Sequence, residues 1–134
     1  GPEQQSLQNK APLNVAFFGS LTHKKMDVIF SSSDLLFLPS KSEGFPKVIL
    51  EAAAAGVPSV VYDCYGASNW MKHRENGFIV NDFHEVKAVV NELLNDSKLL
   101  QSISENTKEL ANGYNWENVI KDWEKVIVNL YNGK

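Results

Sequence analysis

Residues 39–58 read Pro-Ser-Lys-Ser-Glu-Gly-Phe-Pro-Lys-Val-Ile-Leu-Glu-Ala-Ala-Ala-Ala-Gly-Val-Pro. The run before them, Asp34 to Leu38, is continuously apolar after its first residue and stops at Pro39-Ser40, as a strand covered on both faces would. Pro46 fits the first position of a helix, because the amide hydrogen it lacks would find no intrahelical partner there. Gly56 and Pro58 then end that helix, predicted over Pro46 to Ala55. The polar loop between Leu38 and Pro46 thus sits at the carboxyl end of a strand and the N-terminus of a helix. In open α/β sheets that is where ligands bind and where free amides attract anions and polar oxygens. Gly44 lets the backbone come close to such a ligand.

Outward from this loop the chain alternates. Asn14 to Phe18, closed by Gly19, reads as a first strand, Pro58 to Tyr62 as another and Gly77 to Val80 as a short fourth. Helical stretches lie between them at His23 to Ser32, Pro46 to Ala55 and, more weakly, Ala67 to Arg74. This alternation predicts a Rossmann-like α/β domain, a parallel sheet with flanking helices. After Val80 the pattern is helix alone. Asp82 with Glu85 three residues on forms a capping box, and Phe83, Val86, Val89, Val90, Leu93 and Leu94 make one apolar stripe. Leu99, Leu100, Ile103 and Leu110 mark a second helix. A third starts near Asn115, with Trp116, Val119, Ile120, Trp123, Ile127 and Leu130 expected to face inward. Residues 82–132 should therefore be a helical layer on the sheet, and residues 1–134 a single, incomplete domain. Gly1-Pro2 reads as the remnant of a cleaved purification tag.

Within the central helix, Val48, Ile49, Leu50 and Ala52 to Ala55 are apolar all round, so the helix should be largely buried, and Glu51 is the lone charge of that run. A buried carboxylate needs a partner. One candidate is Lys47 at helical spacing, although lysine on the N-terminal side is the weaker orientation, and Glu51 could instead be exposed to solvent through a gap in the packing. The other is a ligand's pair of hydroxyls, which carboxylates hold as they do in ribose recognition. Glu43 is either a solvated loop acid favoured by the helix dipole or a ligand-binding acid beside Gly44.

Composition narrows the classes. Thirteen basic residues against sixteen acidic ones leave a net charge of -3, which argues against nucleic acid as a partner. The single cysteine, Cys64, can form no internal disulfide and suits a reducing compartment, where it is expected as a small core residue. No apolar run approaches the roughly 20 residues that span a bilayer. His23-Lys24-Lys25, His73, Arg74 and His84 read as solvated surface charges.

Glu43, seven intervening residues and Glu51, set within the Pro-Ser, Glu-Gly-Phe-Pro and Glu-Ala frame, resemble the signature of the group 1 family of retaining glycosyltransferases with the GT-B fold. The resemblance extends to Val15–Gly19, Asp34–Ser40, Gly56-Val57-Pro58, Asn76-Gly77-Phe78 and Tyr114-Asn115-Trp116, over about residues 13 to 131. It implies the C-terminal, nucleotide-sugar-binding half of such an enzyme. Glu43 would be the catalytic-site acid that hydrogen-bonds the donor sugar, with Gly44, Phe45, Pro46 and Lys47 near the sugar hydroxyls and Glu51 on the ribose. Gly19 and Ser20 correspond to a loop near the nucleobase.

The resemblance further implies a nucleotide-sugar donor, transfer with retention of configuration, and no cofactor or metal. The acceptor, a saccharide or lipid-linked sugar of a growing polysaccharide, would be bound by an N-terminal domain lying outside this chain. The full protein would be cytoplasmic, at the inner face of the membrane. Gly66-Ala67-Ser68-Asn69-Trp70 departs from the family, whose members often carry a second glycine and then a glutamate there. Nothing before residue 13 resembles the two strands whose glycine-arginine loop and lysine grip the diphosphate. The chain alone should therefore be inactive, and its exposed sheet edge should invite self-association. Two other readings remain open at this point: a non-catalytic flavodoxin-like regulatory or interaction module, and half of a sugar-nucleotide epimerase.

Overall fold

The computed structural model describes residues 3–133; the Gly1-Pro2 pair lies outside the described residues. Three parallel strands, β1 (Leu36–Leu38), β2 (Ser59–Tyr62) and β3 (Phe78–Val80), form a sheet in the order β1-β2-β3. Phe37 is paired with Val60, and Val61 with Ile79. Helices α1 (Gln4–Gln8) and α2 (His23–Ser31) precede β1, and α3 (Lys47–Ala54) connects β1 to β2. A 3-10 turn at Ala67–Asn69 stands between β2 and β3, and α4 (Phe83–Asn95), α5 (Ser97–Gly113) and α6 (Trp116–Asn132) follow.

The pleat sorts the strand side chains between two layers. Phe37, Val60, Tyr62, Phe78 and Val80 face Val86, Val89 and Leu93 of α4 and Ile103 of α5. Leu36, Leu38, Val61 and Ile79 face Ile49 of α3 and the Ala67–Met71 turn. Phe30 of α2 closes on Ala52 and Val57, beside the same α3. Continuous apolar strands are thereby covered on both faces, as their sequence required. Gly56 takes φ +77° after α3, and its carbonyl accepts from Ser104 Oγ at 2.6 Å, which fastens the end of α3 to α5. The capping box at α4 forms with a variation. Asp82 Oδ1 accepts from the Glu85 amide at 2.9 Å, while Glu85 Oε2 reaches back to the Asn81 amide at 2.8 Å.

Several expectations are corrected. Asn14 to Phe18 is not a strand: its residues are exposed and belong to no sheet. A strand exists only through its ladder, and the backbone bond recorded for this segment is a turn, from the Val15 amide to the Pro12 carbonyl at 3.1 Å. The expected helix over Ala67 to Arg74 is a single 3-10 turn. The chain then turns back through Arg74, whose φ is +64°, so that His73 bridges to Gly77. Cys64 is exposed rather than in the core. Of the α4 stripe, Phe83 and Leu94 remain exposed. The largest departure is α6. Its Trp116 and Trp123 are 80% and 64% exposed, because the apolar face they share lies beyond the layer that α4 and α5 make on the sheet.

Candidate functional site

The carboxyl ends of β1 and β2 deliver two loops side by side. Residues 39–46 lead from β1 into α3, and residues 63–66 lead from β2 into the 3-10 turn. Cys64 Sγ donates to the Ser40 carbonyl at 3.6 Å, tying one loop to the other. This adjacency follows from parallel pairing, which puts both strand ends on one side of the sheet.

Pro46 is the N-cap of α3 rather than its first helical residue, with φ -78° and ψ 93°, and helical geometry begins at Lys47. No side chain caps this end. The first-turn amides of Lys47 and Val48 are therefore left for a ligand or solvent, where the helix dipole favours negative charge. Glu43 is half-buried in the loop just before, and Gly44 has open space where a Cβ would stand. Phe45 holds the loop in place: its ring lies 5.4 Å from that of Trp70 and 5.2 Å from that of Tyr114. Such aromatic contacts fix a loop that glycine and serine would otherwise leave loose.

Helix α3 is not buried all round. Ile49, Ala52 and Ala53 face the core, while Lys47, Glu51, Ala54 and Ala55 share an exposed stripe at helical spacing. The Glu51 side chain is 40% exposed, and the basic group facing it is His23 at the start of α2, 4.0 Å away, rather than Lys47. At that distance and exposure the pair contributes little. Glu51 is thus an accessible carboxylate on the same helix whose N-terminus carries the Glu43 loop. Gly19 and Ser20 are exposed on the stretch leading to α2, and Gly19 adopts φ +64° with nothing near its Cβ position. Through His23 that stretch approaches Glu51. The structure therefore sets Glu43 to Pro46 in the loop that begins α3, Lys47 and Glu51 on that helix, and Gly19 and Ser20 on the stretch before α2.

A concavity of about 330 Å³ opens at the same end of the sheet, lined by Lys41, Tyr62, Asp63, Cys64, Asn81, Asp82 and Phe83. A larger one of about 550 Å³ adjoins it beside β3 and α4, sharing Asp63 and Asn81, and another of about 590 Å³ lies between α5 and α6. Tyr65 was not singled out by its sequence context. Its hydroxyl is buried without a hydrogen-bond partner, and its ring packs with Ile49 of α3 and Met71. Burial pushes its pKa up to about 12, with the charges of Cys64 and Glu43 adding to the rise. A phenol that loses its partner on folding is visible only in three dimensions. Among the described residues, no group of three or more His, Cys, Asp or Glu is placed to hold a metal ion, and no helix is long and apolar enough to cross a membrane.

Residues 2–110 match the family described as glycosyl transferases group 1. An uncharacterized glycosyltransferase of Haemophilus influenzae is 31% identical over 133 residues, covering 95% of this chain and 38% of its own length. An Escherichia coli UDP-Gal:alpha-D-GlcNAc-diphosphoundecaprenol alpha-1,3-galactosyltransferase is 32% identical over 101 residues, which is 73% of this chain and 25% of that protein. Among solved structures, sucrose-phosphate synthase from Thermosynechococcus elongatus superposes with a TM-score of 0.82 at 22% identity, covering 99% of this chain and 35% of that one. The chain thus spans well under two thirds of these proteins, and its fold is that of a C-terminal domain piece of a GT-B glycosyltransferase.

Proposed function

Since the chain belongs to the group 1 glycosyl transferase family, we propose that it is the donor-binding part of a retaining glycosyltransferase that moves a sugar from a nucleotide sugar to a saccharide or lipid-linked acceptor. The observation that carries this reading is the placement of Glu43 and Glu51. One lies in the loop at the carboxyl end of β1, the other on the open face of the helix which that loop begins, with uncapped amides between them. Glu51 holds the two ribose hydroxyls, for which a carboxylate offers paired acceptors. Glu43 and the backbone at Gly44, Phe45 and Lys47 engage the sugar. The uncapped start of α3 contributes positive potential toward the departing diphosphate.

In this reading the leaving group is stabilised by amides and basic side chains, without a metal, so a chelator should leave the rate unchanged. Retention of configuration is read from the anomeric proton of the first-formed product by NMR. The reaction belongs to polysaccharide assembly on the cytoplasmic side of the membrane. The E. coli relative, whose name specifies a UDP-sugar donor and a diphosphoundecaprenol acceptor, supports a nucleotide-sugar donor and a lipid-linked acceptor. The acceptor is bound by parts of the longer protein, so this chain by itself does not turn over.

The test is calorimetric titration of the full-length protein with a panel of nucleoside diphosphate sugars, beside a Glu51→Ala variant. One donor should bind, with affinity falling at least about tenfold in the variant, as losing a charge-assisted hydrogen-bond pair implies. Undiminished binding would return Glu51 to a surface role, and no binding to any donor would sink the assignment.

A further inference from the structure

Among the described residues two buried hydroxyls lack partners, Ser59 Oγ and Tyr65 Oη, and they differ in what surrounds them. Ser59 begins β2, 1% exposed, at the end of the sheet away from the candidate site. Tyr65 lies in the loop that leaves the opposite end of that strand, next to Cys64, whose sulfur binds the loop of Glu43 through Ser40. Its partly buried side chain packs against the cluster of Ile49, Val61, Ala67 and Met71, while the hydroxyl has nothing to bind.

A buried, unsatisfied donor lowers stability, and such a group is explained when a partner arrives only in the working state. Two facts say which partner. The Cys64–Ser40 bond lays the loop of Tyr65 against the loop of Glu43, where the half-buried carboxylate holds no hydrogen bond among the described residues and its charge adds, after that of Cys64, to the rise in the phenol's pKa. Burial and that charge keep the phenol protonated far above neutral pH, so it acts as a donor and not as an anion. A phosphate would have to approach against the Glu43 charge, whereas the Glu43 carboxylate stands in the neighbouring loop and needs only a change of side-chain rotamer beside Gly44, whose Cβ position is open space.

We infer that Tyr65 is a positioning residue for Glu43: when donor binds, its hydroxyl donates to one carboxylate oxygen of Glu43, leaving the other aimed at a hydroxyl of the donated sugar. The bond is of the short, charge-assisted O–H···O⁻ kind, and it orients a carboxylate whose loop is already held by Phe45. The inference rests on the proposed contact between Glu43 and the sugar, and it assigns Tyr65 no contact with the nucleotide.

The experiment compares full-length wild type with Tyr65→Phe, titrating each with the preferred nucleotide sugar and with the matching nucleoside diphosphate. Affinity for the nucleotide sugar should fall about tenfold in the variant, while that for the diphosphate stays within about twofold. The thermal midpoint should hold or rise, since the lost hydroxyl was unsatisfied in the free state. In a Glu43→Gln background, Tyr65→Phe should add less than half of its wild-type effect. Equal losses for both ligands, no loss for either, or strictly additive losses would each overturn the inference. A wild type that binds the diphosphate sugar no better than a Glu51→Ala variant would instead overturn the donor assignment beneath it.

Discussion

Gly56 holds φ at +77° where the chain leaves α3, and a Cβ there would come within 2.5 Å of Lys108 Cε. The lysine end can swing aside, but the left-handed backbone cannot be relaxed without moving α3 off α5. Gly56→Ala should therefore cost about 1–2 kcal/mol, the usual penalty of a side chain in that region, read from the midpoint of a urea transition. The glycine was legible as a helix stop, whereas its bond to Ser104 was not, because forty-eight residues separate the two. The same distance problem hides the partner of Arg74, which was read as a solvated charge yet binds Glu92 through both terminal guanidinium nitrogens. The hydrogen bond from Arg74, seconded by its charge, holds the Glu92 carboxyl below the ordinary carboxylate range. A depressed carboxylate adds stability above its unfolded pKa and loses it as the pH falls through the folded one. Carbon-13 NMR titration should show Glu92 titrating low in the wild type and moving up toward the ordinary glutamate value in Arg74→Met. An unchanged midpoint would mean that solvent screens the pair.

Apolar stripes at helical spacing announced α4, α5 and α6 equally well, but a stripe states only that a helix has an apolar face, not what covers it. For α5 the cover is in the chain, and Ile103 is 1% exposed beneath the sheet. For α6 it is not. Trp116, Ile120, Trp123, Ile127 and Leu130 keep one face open, though Asn115 caps the helix correctly through the Asn118 amide at 2.9 Å. Local signals thus placed the helix, and tertiary packing, which no local signal encodes, decided its exposure. The two helices should respond oppositely to truncation. Ile103→Ala should cost about 2–5 kcal/mol through lost burial and the cavity left behind, and Trp123→Ala should stay within about 0.5 kcal/mol. Chemical denaturation of the two variants decides it, and a large loss at Trp123 would mean that α6 folds onto the body in solution. The loop of Glu43 was readable for the reason that α6 was not: strand end, glycine, proline and helix start are all local.

The sheet's two edges are finished differently. Outside β3, the Ile79 amide donates to His73 Nδ1 at 3.1 Å, the Gly77 carbonyl accepts from the Arg74 amide at 2.7 Å, and the Asn81 amide is taken by Glu85. That edge offers no free amide in this run, the usual defence against unwanted pairing. Among the described residues no such plug stands outside β1. The Leu36 amide donates inward to the Pro58 carbonyl at 2.9 Å, so the parallel register turns the amide and carbonyl of Phe37 outward, where no partner is recorded. Asn14 to Phe18 has the composition of a strand and was expected to be one, and it lies exposed instead, which shows that composition supplies a candidate while only a neighbouring strand makes it one. An open edge and a free strand-like segment in one chain should drive association between copies. Hydrogen exchange followed across a dilution series can see this without altering a residue. The Phe37 amide should exchange fast in dilute solution and gain protection as concentration rises, in step with a dimer by sedimentation velocity. Protection that is already full in the dilute monomer would mean that a segment of the same chain closes the edge, and fast exchange at every concentration would mean that it stays open.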